Sequence, residues 1–240
     1  MFGRRLINTQ QGGGCTTDTL QILGDTSCVA TYRLNGDATD LSGNYNGTAT
    51  SVTYVTGQFG DAGSFNGSSS KIVVQSPISP STDTTNFNYS FWLSTAGFGS
   101  GSQFVVGEND NGAPIWIGIY YDSTNNYTLS FLRRYGGTYY IFNRSDAFEL
   151  TPDVFYHISL NYYYSNKTFD VYVNGIFLGN YTTDGTTGPE SSSTEEAIGQ
   201  YNTNPSYSYL SWNGKIDQIR RFDRAITAEE VTTLYNEVAC

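Results

Sequence analysis

The stretch FDVYVNGIFL at residues 169–178 carries the clearest fold signal in the chain. Its first half alternates apolar and polar side chains with the two-residue period of a β-strand, and Asn174-Gly175 favours the tight turn of a β-hairpin. A second hairpin is predicted around Gly136-Gly137. Further short apolar runs occupy residues 71–74, 89–93 and 114–120. Many short strands separated by turns predict an all-β sandwich or barrel.

One helix is predicted near the C-terminus. Thr227 is a good N-cap, and Glu230, three residues later, completes a capping box. Ile226 and Val231 have the spacing of a hydrophobic staple across this helix start. The apolar stripe of the helix, which we expect to pack onto the sandwich, consists of Val231, Leu234, Tyr235 and Val238.

The composition excludes several classes of function. The 240 residues carry 12 Lys and Arg against 22 Asp and Glu, which gives a formal net charge of −10. A protein that neutralises phosphates needs the opposite balance, so we expect no nucleic-acid partner and no adsorption to anionic membranes. No run of 18 apolar residues is present, and we expect no membrane insertion. The 20 tyrosines predict a surface built largely from Tyr, Ser, Thr, Asn and Gly.

Two parts of the chain differ in pattern. Residues 1–28 read as an N-terminal arm or anchor, with a flexible Gln- and Gly-rich hinge at 10–14. The start of the chain lacks the apolar segment of a signal peptide, so none is expected. Residues 29–240 carry the strand pattern and are predicted to form one β-sandwich domain.

Four ordered segments stand out, namely GQFGDAGSFNG at 57–67, YSFWL at 89–93, FYHISL at 155–160 with VYVNG at 171–175, and WNGKIDQIRRFDRAITAEE at 212–230. Together they resemble the concanavalin A-like lectin/glucanase superfamily, and more closely its laminin-G-like jelly-roll modules. The similarity spans roughly residues 30–238. One departure is Phe155-Tyr156, where the family often has Trp, which changes core packing more than function. The resemblance implies an antiparallel jelly-roll sandwich of two sheets with one short C-terminal helix.

Residues 15–37 resemble the entry into laminin-G-like modules of bacteriophage structural proteins. This resemblance implies a non-enzymatic virion protein, assembled in the host cytoplasm and exposed as a capsid decoration, head fibre or tail fibre. The arm would bind other virion proteins, the protein would be a homo-oligomer such as a trimer, and the exposed domain would contact host glycans. The alternative function is a calcium-dependent, lectin-like adhesion module that is not part of a virion.

A catalytic site is not expected. Some superfamily members are glycoside hydrolases with a Glu-x-Asp-x-x-Glu strand, which supplies the two carboxyl groups of a retaining mechanism. The nearest match begins at Glu108 and Asp110, but Ala113 stands where the second glutamate is required. The single histidine, His157, lies in a strand pattern and is predicted to be structural.

Calcium is the cofactor that the resemblance implies. In similar modules the acidic residues at the positions of Asp40 and Asp217 can share one site. Ca²⁺ prefers six to eight hard oxygen ligands, and residues 37–44 gather such groups in one loop. The alternative is that Asp40 and its neighbours only cap turns, as Asp and Asn commonly do.

Exposed aromatic residues are the candidates for a binding surface. Tyr121, Tyr163, Tyr201 and Tyr207 lie in segments that also supply Asn, Asp and Ser. Sugars stack on aromatic rings and form hydrogen bonds with such side chains. The same Tyr-, Ser- and Asn-rich surface would serve equally well as a protein interface, so both interpretations stay open.

The three cysteines do not have the spacing of a zinc site. Cys15 and Cys28 would close a short loop as a disulfide, which leaves Cys240 as the odd thiol. The alternative is that both thiols are free.

Overall fold

The computed structural model describes residues 20–76, 78, 85–97, 102–108, 116–122, 125–135, 138–143, 150–182, 195–201, 206 and 210–238; at 102, 108 and the strands within 116–143 it describes the backbone only. These residues form strands and one helix. In chain order they are β1 Cys28–Tyr32, β2 Gly47–Thr50, β3 Thr53–Thr56, β4 Asp61–Asn66, β5 Lys71–Val74, β6 Phe87–Thr95, β7 Ser102–Glu108, β8 Trp116–Asp122, β9 Asn125–Tyr135, β10 Thr138–Asn143, β11 Tyr156–Tyr163, β12 Thr168–Val173, β13 Ile176–Thr182, β14 Glu196–Ile198, β15 Asn213–Phe222 and α1 Ala228–Tyr235.

The strands form two sheets in which every neighbouring pair is antiparallel. The first sheet has the order β13-β12-β11-β6-β15-β4-β3, and β1 also pairs with β15. The second sheet has the order β10-β9-β8-β7-β14-β5-β2. Each sheet combines runs of consecutive strands with neighbours that are distant in sequence, such as β6 and β15 or β7 and β14, as a sandwich with crossing connections requires. The two-sheet antiparallel jelly-roll prediction is therefore confirmed.

The main core contains the alternate side chains of the first sheet. On β11, for example, Ile158, Leu160 and Tyr162 belong to this core. The residues between them, such as His157 and Asn161, must therefore point to the opposite face of the sheet. We call this opposite face the outer face of the first sheet. It carries a second, smaller apolar cluster that includes Phe222, Val231 and Leu234.

Helix α1 covers part of the outer face and has the predicted start. The Thr227 side chain accepts from the Glu230 N–H, and the Glu230 carboxylate accepts from the Thr227 N–H, so the capping box is confirmed. Val231 and Leu234 are fully buried. Val238 was expected in the same stripe, but the helix ends at Tyr235 and Val238 is 67% exposed. The prediction for Val238 was wrong because the helical periodicity stops before it.

The segment that precedes β1 contacts this helix. Leu20, Ile22 and Leu23 pack against the second cluster. The Arg224 guanidinium donates to the carboxylates of both Asp25 and Glu230, and so connects the segment to α1. The predicted arm at 1–28 therefore includes a described part, from Leu20 onward, that packs on the sandwich. Residues 1–19 lie outside the described residues, and the domain division stays a prediction.

Both predicted hairpins are confirmed. β12 and β13 pair around Asn174-Gly175, where both residues have positive φ angles of 50° and 79°. β9 and β10 pair across residues 136–137. No helix in the described part of the chain is long and apolar enough to span a membrane.

Candidate functional site

Five residues on β11, β12 and β13 share the outer face of the first sheet at its β13 edge. In the β12–β13 register Phe177 pairs with Tyr172 and Asn180 pairs with Asp170, so each lies on the same face as its partner. Leu178 and Tyr181 of β13 both pack against the main core, because the register shift leaves Leu178 unpaired. Alternation along β11 and β12 places further side chains of these strands on the outer face beside them. We call this surface the outer patch, and it consists of Tyr163, Asp170, Tyr172, Phe177 and Asn180.

Polar contacts across three strands hold the centre of the outer patch. Asp170 pairs in register with Asn180, and the Asn180 Nδ2 donates to the Asp170 Oδ1 over 2.6 Å. The Tyr163 hydroxyl also donates to the Asp170 carboxylate. Partial burial and the negative charge of Asp170 raise the pKa of Tyr163 to about 12, so its hydroxyl stays protonated at neutral pH. The patch thus combines a phenol, a carboxylate and an amide.

Aromatic rings border this polar centre. The Phe177 side chain is 50% exposed, which is unusual for a phenylalanine, and its ring centroid lies 5.2 Å from that of Tyr172. Tyr172 itself is buried and belongs to the second cluster beneath α1. The exposed ring of Phe177 is therefore supported from below by a fixed aromatic side chain.

The strand that carries Tyr163 is anchored to the start of α1. Asn161, two residues before Tyr163 on the same face, donates to the Ile226 carbonyl over 2.7 Å and accepts from the Ile226 N–H over 2.8 Å. Asn161 also accepts from the Asn88 amide of β6. These buried bonds fix β11 between its neighbour and the helix, and they give the patch a rigid base.

The two residues predicted to bind calcium are both buried, but each is bonded to a different loop. The Asp40 carboxylate accepts from the backbone N–H groups of Thr31, Ser42 and Tyr45 over 2.8, 3.2 and 3.2 Å, and from the Ser42 hydroxyl. Such bonds are typical of a carboxylate that caps a turn. N–H donors occupy the oxygens that a cation would need, so Asp40 does not fit a Ca²⁺ ligand.

Asp217 anchors a loop that is far away in sequence. Its Oδ2 accepts from the N–H groups of Gln58 and Phe59 over 2.8 and 2.9 Å. Burial raises the pKa of Asp217 to about 7, against the opposing effect of these hydrogen bonds. Within the described residues no three His, Cys, Asp or Glu side chains form a metal-binding group. The geometry therefore does not fit a shared site at Asp40 and Asp217, while calcium binding itself stays a prediction.

His157 lies on the same face as the outer patch but is fully buried. Its Nε2 lies 2.8 Å from the Ser90 Oγ, and its ring packs against Trp92 with 5.2 Å between centroids. Trp92 in turn stacks on Tyr235 of α1 at 5.7 Å. Burial lowers the pKa of His157 to about 3, and the charge of Arg220 acts in the same direction. A buried neutral imidazole in this environment packs the helix onto the sheet.

The other predicted tyrosines have different placements. Tyr201 is only 7% exposed, and its ring contacts Phe104 edge-on at 5.1 Å. A ring buried in this way does not offer its face to a ligand, so the expected surface role of Tyr201 needs correction. Of Tyr121 only the backbone is described, in β8, and Tyr207 lies outside the described residues. Among these four predicted tyrosines, Tyr163 is the one that lies in the outer patch in the described part of the chain.

Three further predicted sites lie partly outside the described residues. The Cys28 thiol is buried beside the Thr31 hydroxyl at 3.3 Å and has no disulfide partner among the described residues, whereas Cys15 is not described. The pairing of the two cysteines stays a prediction. The incomplete acidic motif also lies largely outside the described residues: Glu108 is described by its backbone alone, and Asp110 and Ala113 are not described.

No sequence pattern pointed to Asp170, Tyr172, Phe177 or Asn180 as binding residues. All four lie in the hairpin that decided the fold, where polar and apolar side chains alternate. The signal that could have identified them is Phe177, an aromatic residue on a strand with polar neighbours. Which face of that strand meets the core depends on the pairing with β12, where a bulge lies between Val171 and Tyr172.

Comparisons with known proteins agree with this fold. The family model described as the concanavalin A-like lectin/glucanases superfamily matches residues 66–232. No curated protein matched the chain. One similar solved structure is domain 4 of AbnA, a GH43 extracellular arabinanase from Geobacillus stearothermophilus, in complex with arabinotriose. It superposes on this chain with a TM-score of 0.68 and 21% identity, and the match covers 88% of this chain and 98% of that domain.

Toxin binding domains are also similar in structure. The binding domain of Paraclostridial Mosquitocidal Protein 1 has a TM-score of 0.67 and 19% identity over 88% of this chain. The binding domain of botulinum neurotoxin serotype D has a TM-score of 0.64 and 12% identity over 87% of this chain. This chain covers 52% and 51% of those two domains, about half their length. At such identities the likeness shows the fold.

Proposed function

Because the chain belongs to the concanavalin A-like lectin/glucanases superfamily, we propose that it is a non-enzymatic glycan-binding module that binds its ligand at the outer patch. The observation that carries this proposal is the combination of the exposed Phe177 ring with the bonded Asp170 and Asn180 pair on one rigid face. A sugar presents apolar C–H faces beside hydroxyl groups, and this surface offers a partner for each.

Structures with similar folds support a binding role. The arabinanase domain was solved with arabinotriose, an oligosaccharide, and the two toxin relatives are named as binding domains. These likenesses concern the fold, so the position of the ligand on this chain rests on the outer patch alone.

The chemistry of the patch supports binding without catalysis. Retaining glycoside hydrolysis needs two carboxyl groups about 5 Å apart. The Asp170 carboxylate is instead bonded to an amide, from Asn180, and to a phenol, from Tyr163. This arrangement can hold a hydroxyl group, but it lacks the second carboxyl that such a mechanism uses.

Binding to a glycan array, followed by titration of each hit, tests this function. Phe177→Ala and Asn180→Ala should each weaken binding about 3- to 10-fold, which corresponds to the loss of one ring contact or one hydrogen bond. Ile176→Ala is the matched control, because Ile176 is 63% exposed on the same strand and lies outside the patch.

Several results would count against the proposal or favour an alternative. Failure to bind any glycan on the array would refute the function, and unchanged affinity in both patch variants would place the ligand elsewhere. Binding that EDTA abolishes and Ca²⁺ restores would favour the calcium-dependent adhesion alternative. Release of reducing sugar from a bound glycan would contradict the non-enzymatic role.

The virion role predicted from residues 15–37 is a finer proposal that rests on that resemblance. It includes the virion location, the oligomeric state and attachment to other virion proteins through the arm. Sedimentation of native material with mass spectrometry of each fraction tests it. Co-sedimentation with large particles at fixed stoichiometry would support a virion component, whereas recovery only in slowly sedimenting fractions would refute it.

A further inference from the structure

The outer patch has a negative charge at its centre, and this charge constrains the ligand. Asp170 is partly exposed and has polar partners on both neighbouring strands. Both partners are hydrogen-bond donors to it, namely the Asn180 amide and the Tyr163 hydroxyl. A carboxylate has about four acceptor positions, so two bonds leave it able to accept from a ligand.

We propose, on the basis of the glycan-binding function above, that the outer patch selects neutral glycans and rejects acidic ones that carry sialic acid, uronic acid or sulfate. A neutral sugar supplies hydroxyl donors to the Asp170 carboxylate. An acidic group placed at the same position supplies only acceptor oxygens and a like charge. At 4 Å, the repulsion of two like charges near a protein surface is large enough to weaken binding at least tenfold.

Three of the described cations have partners other than Asp170. Arg224 is bonded to Asp25 and Glu230, and Arg220 forms a buried ion pair with Glu237. Lys167, in the turn between β11 and β12, is 5% exposed and has its Nζ 3.5 Å from the centroid of the Tyr164 ring. None of the hydrogen bonds that the described residues make to Asp170 comes from a cationic side chain.

The charge of the whole chain acts in the same direction. A formal net charge of −10 repels an anionic ligand during approach. This long-range effect falls as salt is added, because charges farther apart than the Debye length of about 10 Å at 0.1 M are screened. The effect of Asp170 acts at contact distance, so a part of the discrimination should persist at 0.5 M NaCl.

The test compares matched probes that differ by one acidic group. Lacto-N-tetraose is paired with its sialylated form, and xylohexaose with its glucuronosyl-substituted form, at 0.05 and 0.5 M NaCl. The expected result is that any neutral probe that binds does so at least tenfold more tightly than its acidic partner. Asp170→Asn should reduce that ratio by at least threefold, because the amide keeps the shape and removes the charge.

Asp153→Asn is the matched control. Asp153 is exposed, lies on the described turn before β11 and has a left-handed φ of 61°, which Asn also tolerates. The Asp153→Asn substitution removes one negative charge, as Asp170→Asn does, but at a position outside the patch. An equal loss of discrimination in Asp153→Asn and Asp170→Asn would overturn the proposal, since net charge alone would then explain the selectivity.

The outcomes separate this inference from the proposed function. Equal or tighter binding of the acidic probes, with Phe177→Ala still weakening it, would overturn the charge selectivity and leave the glycan-binding function intact. Binding of no probe, neutral or acidic, together with no hit on the wider array, would overturn both. Neutral selectivity that Asp170→Asn leaves unchanged would also contradict the role of this carboxylate.

Discussion

Replacing His157 should change how the stability of the domain depends on pH. Burial lowers the pKa of its imidazole to about 3 in the folded state, whereas the unfolded chain has the ordinary value near 6.5. Between these values the unfolded state binds a proton that the folded state does not, so folding loses stability as pH falls. At about 1.4 kcal/mol per pH unit, the loss reaches about 3 kcal/mol between pH 7.5 and pH 4.5.

The assay is urea unfolding followed by tryptophan fluorescence at a series of pH values, for the wild type and for His157→Gln. Gln does not titrate and can still form a hydrogen bond with Ser90. Other titrating groups are the same in both proteins, including Asp217, whose raised pKa makes stability increase as pH falls from about 7 towards 4. Their effects cancel when the free energy of unfolding of the variant is subtracted from that of the wild type at each pH. This difference should fall by about 3 kcal/mol from pH 7.5 to pH 4.5.

A difference curve that stays flat from pH 7.5 to 4.5 would refute this reasoning. A second measurement does not depend on how well the variant folds. The chain has one histidine, so a single imidazole signal can be followed by NMR in the wild-type protein. We expect no titration of this signal between pH 5 and 8 while the domain is folded. An inflection near pH 6.5 would show that the imidazole is accessible to water.

Three other substitutions test the helix cap, a buried ion pair and a close backbone approach elsewhere in the domain. Thr227→Ala removes the side chain that caps α1 and should lower the free energy of unfolding in urea by about 1 kcal/mol; an unchanged midpoint would contradict the capping box. Glu237→Gln removes the carboxylate that pairs with the buried Arg220 and should cost about 3 kcal/mol or more in the same assay. Gly107→Ala would place a Cβ 1.8 Å from the Tyr201 carbonyl oxygen, so we expect a markedly lower thermal midpoint, and a wild-type midpoint would show that the strand can shift.

Local sequence patterns predicted the strands and the helix start well. The turn at Asn174-Gly175, the run at 71–74 and the capping box at Thr227 all depend on side chains within a few residues of one another. The run predicted at 114–120 is a strand at Trp116–Asp122, a shift of two residues. Such features need no knowledge of the second sheet, because backbone geometry and local hydrogen bonds determine them.

The last strand shows why burial could not be read from alternation. A strict two-residue period from Ile216 would place Gln218 and Arg220 on the same face as Ile216. The structure has a bulge between Asp217 and Arg220, and Gln218 has a φ of 49°. The bulge reverses the alternation, so Ile219 joins Ile216 in the main core. One extra residue in a strand changes the face of every side chain after it.

The sequence by itself determined the all-β class, the hairpins, the helix cap and membership of the superfamily, since these follow from local periodicity and from ordered motifs. Only the tertiary structure decided which polar and aromatic side chains share a surface. Tyr201 is buried against Phe104, and Asp217 bonds to Gln58, 159 residues away. Asp170 and Asn180 meet because β12 and β13 pair in one register. Burial depends on which face the rest of the chain covers, and that contact is made by residues distant in sequence.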